Sequence, residues 1–211
     1  MTTYYSQYGM REYDTSLLAR EADPCISWKV TVAPTVEPVT LNQFKEFARI
    51  DGNFEDDSLN AILVAARQLT ESYLNRALIE QTIELVMNYW PSIEIELPRP
   101  PLISISSVVT LDESNVATTY SSDNYYINTN AEPGILVLKR SVTAPINTDR
   151  ENSGYKITYK AGYGSTAVFV PQGIKEGIKF WATAIYEGRM PSNEPPPIAA
   201  KVLDQYRIYY L

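Results

Sequence analysis

Tyr73-Leu74-Asn75-Arg76-Ala77-Leu78-Ile79-Glu80-Gln81-Thr82 is the stretch in which the chain changes its hydrophobic period. Before it, Leu59, Ile62, Leu63, Ala66, Leu69, Tyr73 and Leu74 recur at helical spacing and line one face. After it, Ile83, Leu85 and Met87 alternate with Glu84 and Val86, and Ile93, Ile95 and Leu97 alternate with Glu94 and Glu96. The reading is a helix capped at Asp56 or Asp57 and running to about Arg76, roughly 30 Å at 1.5 Å per residue, which gives way to strands.

Toward the N-terminus, Thr40 followed by Gln43 matches a capping box, in which hydroxyl and amide each satisfy an orphan backbone N–H. Leu41, Phe44, Phe47 and Ala48 then line a short helix that Asp51-Gly52-Asn53 ends. Toward the C-terminus, Pro98-Arg99-Pro100-Pro101 is a rigid turn, and strands follow at Leu102–Leu111, Tyr125–Asn128, Ile135–Lys139 and Tyr155–Lys160. These six short strands with polar turns predict an antiparallel sheet. Helix returns after Pro171, with Ile174, Ile178, Trp181 and Ile185 on one face and Lys175 and Lys179 on another. Gly177 inside it costs about 1 kcal/mol relative to Ala, so packing must hold this helix.

The expected class is α+β: a helical body of antiparallel helices (39–80 and 165–190) with an inserted antiparallel β-rich subdomain (81–164) and extended termini. The extension 1–38 has no sustained period, and Pro24, Pro34 and Pro38 interrupt it; Leu17 and Leu18 within Asp14–Glu21 allow one helical turn. It reads either as an arm laid over a partner or the chain's own body, or as a flexible terminus. At the other end, residues 191–211 hold a Pro-rich spacer (191–197), a weakly helical Ile198–Tyr206 and Arg207-Ile208-Tyr209-Tyr210-Leu211.

Composition narrows the chemistry. With 211 residues, 45% apolar and 20% charged, the chain can build a sizeable core. Residues 1–110 hold 8 of the 18 basic and 15 of the 25 acidic side chains, so the whole net charge of −7 falls in that half. Such a balance argues against broad phosphate-backbone binding. It reads as a solvated acidic face or as a surface that must not stick to nearby DNA. The absence of histidine excludes Ser-His and Cys-His nucleophile pairs and His-ligated metal sites. One cysteine, Cys25, excludes an intrachain disulfide framework. No run approaches the roughly 18–20 apolar residues of a membrane span, and the polar opening is no signal peptide, so a protein made in the cytoplasm is expected. Sixteen tyrosines against five phenylalanines suit either wet interfaces or a strand-rich fold.

The candidate sites dissolve on inspection. Glu94 and Glu96 share a strand face, as an acid/base pair or divalent-ion site would need, but alternation makes that face the solvent side. Glu55-Asp56-Asp57 lacks spaced oxygen ligands and suits a helix start. Ala161-Gly162-Tyr163-Gly164 lacks a phosphate loop's Lys-Ser/Thr pair and reads as a tight corner. Cys25 has no activating neighbour. No catalytic, cofactor or metal set is expected, and the chain reads as a non-enzyme.

Several stretches together resemble the head–tail connector (adaptor) family of tailed bacteriophages. They are Pro38-Val39-Thr40-Leu41, Phe47-Ala48-Arg49-Ile50-Asp51, Asp56-Asp57-Ser58-Leu59 with Ala65-Ala66-Arg67, the helix exit Tyr73–Thr82, Leu97-Pro98-Arg99-Pro100-Pro101-Leu102, Ala161-Gly162-Tyr163-Gly164, and Val170-Pro171 leading into Ile178–Arg189. They cover about residues 38–190 in one order. The resemblance implies a virion structural protein of the neck, assembled in the host cytoplasm as a ring, usually of twelve, beneath the portal. It would extend the DNA channel without sequence-specific binding and give the tail or stopper (nozzle) protein its docking surface, with no membrane contact.

The resemblance also implies that the C-terminal segment engages the portal. Here that is Gln205, Tyr206, Arg207, Ile208, Tyr209, Tyr210 and Leu211, held away from the body by the proline spacer. The alternative is a tail folded on its own body. The helix Asp57 to Arg76 is the candidate ring wall. Two readings from other classes remain: a carbohydrate-binding or hydrolysing tail protein using Glu94 and Glu96 beside Trp90, and an assembly chaperone absent from the mature virion.

Overall fold

A computed structural model of the protein describes residues 27–90, 93–145, 150, 152–188 and 193–209. Cys25 and the Asp14–Glu21 turn of the extension lie outside them. Helix α1 (Leu41–Ala48) opens on the expected capping box: the Gln43 N–H donates to Thr40 Oγ1 at 3.3 Å and the Thr40 N–H to Gln43 Oε1 at 3.0 Å. Helix α2 (Asp56–Leu74) stops at Asn75, whose left-handed backbone (φ 55) an Asn tolerates. Its cap is Glu55 rather than Asp56 or Asp57, because Asp56 sits in the first turn and takes Lys45 Nζ at 2.7 Å.

The stripe read from the sequence is the one that is buried. Leu59, Leu63, Ala66 and Leu74 of α2 pack with Phe44 of α1 and with Ile174, Ile178, Trp181 and Ile185 of α3 (Gln172–Gly188). A fourth helix, α4 (Pro197–Leu203), adds Ala199 and Leu203 to this core. Gly177 is what lets it in: a Cβ there would collide with the Leu203 side chain. The glycine that weakens α3 locally thus makes room for the packing that holds it.

The described strands number eight, not six, and form two sheets. The larger has the order β1 (Ser27–Val32), β2 (Gln81–Met87), β8 (Tyr155–Ala161), β4 (Leu102–Leu111), β5 (Ala117–Thr119). The smaller has the order β3 (Glu94–Leu97), β7 (Gly134–Leu138), β6 (Tyr125–Asn128), and every pairing in both is antiparallel. A period of two reports which face is buried but not which sheet a strand joins. Ile83, Leu85 and Met87 of β2 and Tyr155, Ile157 and Tyr159 of β8 share one core with Ile95, Leu97, Leu136 and Leu138 of the smaller sheet.

The helical and sheet cores meet at the helix exit. Ala77 belongs to the sheet core, whereas Leu78 and Ile79 belong to the helical one. The corner Ala161-Gly162-Tyr163-Gly164 locks the junction. The Gly162 N–H donates to the Pro101 carbonyl at 2.9 Å, Tyr163 N–H to Leu78 at 3.2 Å, and Glu80 N–H to Gly164 at 2.9 Å. A Cβ on Gly162 would fall 2.6–2.7 Å from the Ile79 and Glu80 backbone, at a φ of +134.

Candidate assembly surfaces

A buried ion network fixes the two units to each other. Arg67 is 5% exposed; its Nε donates to Glu37 Oε2 at 2.7 Å and its Nη1 to Glu71 Oε2 at 2.9 Å. Glu71 Oε1 in turn accepts the Leu78 N–H at 2.9 Å and Gln81 Nε2 at 3.2 Å, and Arg99 donates to the Glu71 carbonyl. Burial pushes the Glu71 carboxyl above its ordinary value, while Arg67, the Leu78 N–H and Arg99 pull it back. These charges hold the segment after β1, helix α2, the proline turn and β2 in one place. Removing one partner of such a buried pair leaves the other uncompensated, at about 3–5 kcal/mol.

That network decides which part of the candidate wall Asp57–Arg76 faces outward. Arg67, Glu71 and Arg76, its charged side chains after Asp57, are buried. Arg76 Nη2 donates to Glu132 Oε2 at 2.6 Å, and this hydrogen bond holds the Glu132 carboxyl below its ordinary value. Beyond the exposed Asp57 at its start, what faces outward is Ser58, Asn60, Ala61, Val64, Gln68 and Ser72, a stretch of helix surface without a charge. Charge depletion is what the centre of a protein interface has and an ordinary surface lacks.

The C-terminal segment is not held away from the body. Pro197 is the first residue of α4, where its fixed φ fits a helix and its missing N–H costs nothing. Tyr206 is half-buried over Gly173, and its carbonyl accepts Arg76 Nε at 2.5 Å. The Ile208 N–H donates to the Leu74 carbonyl at 3.0 Å, and its carbonyl accepts Asn75 Nδ2 at 2.9 Å. These bonds satisfy the groups left open where α2 ends. The Arg207 guanidinium lies over the rings of Tyr73, at 4.4 Å, and Tyr209, at 4.9 Å. Gln205 and Tyr209 are exposed, Tyr209 at 65%; Tyr210 and Leu211 lie outside the described residues.

Glu94 and Glu96 stand on the exposed face of β3, between buried Ile95 and Leu97. The Trp90 ring packs against the sheet core, on Tyr120 and Tyr155 at 6.3 and 5.8 Å. Among the described residues, no group of three or more His, Cys, Asp or Glu is placed to hold a metal, and no helix is long and apolar enough to cross a membrane. Two surfaces have no counterpart in the sequence reading: the strand edges β1 and β5, every residue of which is exposed.

The family model described as head completion protein matches residues 37–187, and the chain belongs to that family, whose members are structural proteins of the virion. No curated protein sequence matches significantly. Among solved structures, a chain from "Neck of empty GTA particle computed with C6 symmetry" superposes with a TM-score of 0.75 at 18% identity, over 88% of this chain and 97% of that one. A chain from "Virion of native gene transfer agent (GTA) particle" gives 0.73 at 18%, over 87% and 96%. One from "Neck of native GTA particle computed with C12 symmetry" gives 0.69 at 18%, over 87% and 97%. At such identity the likeness concerns the fold.

Proposed function

We propose that this chain is a structural part of the virion neck: one of a ring of identical copies, twelve in number, set beneath the portal. The ring would extend the channel through which packaged DNA passes and present the docking surface for the tail or stopper protein. The observation that carries this reading is the fold match to nearly the full length of neck chains from particles computed with C6 and C12 symmetry. The family membership supports it independently. An acidic chain of net charge −7 suits a wall that DNA must slide past, since like charge disfavours lingering contact.

Within the ring, the uncharged outer face of α2 is the wall against a neighbour, and the segment Gln205–Leu211 is the contact with the portal. Because Tyr206–Ile208 are tied to the end of α2, the portal contact falls on Gln205, Tyr209 and the two residues beyond, presented by a rigid base. Tyrosine suits such a hot spot. Mixed with portal protein, the chain should give a symmetric complex by electron microscopy. A chain that stays monomeric and never binds portal overturns the reading. Deleting residues 209–211 should abolish portal binding without shifting the melting temperature; unchanged binding would remove the anchor assignment alone.

A further inference from the structure

We propose that the larger sheet continues from copy to copy, with the free edge of β1 in one chain pairing to the free edge of β5 in the next. This deepens the ring reading and rests on it. The two edges belong to one sheet and stand at its opposite ends. Among the described residues, β1 pairs only with β2 and β5 only with β4. All six residues of β1 and all three of β5 are exposed. Unpaired edges of this kind are templates for another strand, and proteins that must stay single guard them with prolines, inward charges or a covering segment.

Those guards are weak here. No proline lies in Ser27–Val32 or between Val116 and Tyr120. The one charge on either edge is Lys29, and it is drawn across β2 to Glu84, 3.0 Å away, rather than standing over the open side. The irregularity in β1 falls between Val30 and Val32, at the end of the strand, and leaves Ser27–Val30 regular.

The faces match as well as the edges. Trp28 and Val30 pair with Leu85 and Ile83, so they continue the buried row of β2 past the sheet's end, yet they remain 39% and 42% exposed. On β5, Thr118 is opposite Thr110, which is opposite buried Tyr155, so the same side of the sheet ends there in exposed Thr118, and Val116, one residue before the strand, is 59% exposed. The core side of the sheet thus stops at β1 with Trp28 and Val30 partly uncovered and at β5 with exposed Thr118, and joining the edges covers them. The occupant is a second copy because it alone brings both missing halves, and because a contact between two different surfaces of one chain is the kind from which a closed ring is built.

Geometry adds one specific feature. Five strands paired antiparallel leave β1 and β5 running in the same direction. A rotation from one copy to its neighbour about the ring axis nearly preserves strand direction. The junction between copies is therefore parallel, the only parallel pairing in an otherwise antiparallel sheet.

Paired cysteines test this, since neighbouring strands lie about 4.8 Å apart, within disulfide reach. In a Cys25→Ser background, Ser27→Cys or Lys29→Cys is combined with Ala117→Cys or Thr119→Cys, and rings assembled on portal are oxidised mildly. The expected result is a ladder of covalent oligomers from at least one double variant, with no dimer from any single variant. Rings visible by microscopy that give no ladder in any combination overturn the inference while leaving the ring standing. Dimers from single variants overturn it too, because they mean like edges meet. So does a disulfide between Ser27→Cys and Thr3→Cys, which would place the chain's own N-terminal segment on β1. If no variant and no wild-type chain forms a ring, the ring reading itself has failed. As a second measurement, Ala117→Lys with Thr119→Lys should prevent ring formation and leave the monomer's melting curve unchanged; unaffected rings would overturn the junction.

Discussion

The two ends of the described chain look alike in sequence and differ in the fold. Both flank the family-matched region, both contain prolines, and both carry aromatic residues with no long hydrophobic stripe. The N-terminal end becomes β1, which lies along a sheet edge with every residue exposed. The C-terminal end sends Leu203 to 0% exposure and closes the open end of α2 with backbone hydrogen bonds. Aromatic content in a terminal segment therefore does not separate a partner-binding arm from a part of the core. The deciding feature is a receiving surface, and on α3 that surface is Gly177, which admits Leu203 of α4, with Gly173, which admits Tyr206 just beyond it.

The difference is breakable by substitution, and the largest effect belongs at the C-terminal end. Leu203→Ala removes a fully buried side chain and should cost about 2–5 kcal/mol, read as a lower urea midpoint at unchanged slope. Deletion of 205–211 should likewise destabilise the domain, since it strips the partners of Arg76 and Asn75. A deletion that leaves the midpoint in place would mean this end is an appendage after all.

Gly177→Ala is next. The added methyl drives into Leu203 and should cost about 1–3 kcal/mol, despite the better helix propensity of alanine. In a Leu203→Ala background the clash is gone and the same change should become neutral or stabilising. Equal costs in both backgrounds would show that the glycine is needed for something other than admitting α4.

How much of this was legible in the sequence follows from the physics of each segment. The stripe of α2, its companion on α3 and the strands β2 and β4 were readable because each buries one side against a continuous core. The tight corner at Gly162 was readable from turn chemistry alone. β1 was not, although Trp28, Val30 and Val32 alternate with Lys29 and Thr31, because so short a run between Pro24 and Pro34 does not stand out from an extension without a sustained period, and β5 was too short for any. The docking of α4 was hidden because it depends on a close approach between segments about 25 residues apart, which no local period encodes. Of the candidate site, the helix α2 was legible but its outward face was not: only the fold reveals that Arg67, Glu71 and Arg76 turn inward.

A smaller effect tests the ties between the C-terminal end and the β-subdomain. Arg76 binds both the Tyr206 carbonyl and Glu132, and the hydrogen bond to Arg76 holds Glu132 below its ordinary value of 4.5. A carboxyl whose folded value is depressed adds stability above its unfolded value and loses it as pH falls through the folded one. Glu132→Gln should thus be less stable than wild type at neutral pH and converge with it as pH drops below 4.5. A constant gap from pH 7 into acid would mean the loss is one of shape rather than charge. Because Glu132 is partly exposed, the gap is expected to be modest and to shrink with salt.

The smallest effect belongs to the N-terminal end. The Arg99 guanidinium lies 4.6 Å from the centre of the Trp28 ring, and Trp28 stays 39% exposed. A cation over an exposed ring contributes about 0.5–1 kcal/mol, and β1 offers little buried area besides. Trp28→Leu keeps much of the apolar contact and removes the ring, so it should cost no more than that amount, read from the urea midpoint at unchanged slope. Arg99 also donates to the Glu71 carbonyl, so Arg99→Lys should cost more than Trp28→Leu, and the double variant should cost less than the two singles added together. Were Trp28→Leu to destabilise the monomer as much as Leu203→Ala does, β1 would have to be counted as part of the core, and the contrast between the two ends would be lost.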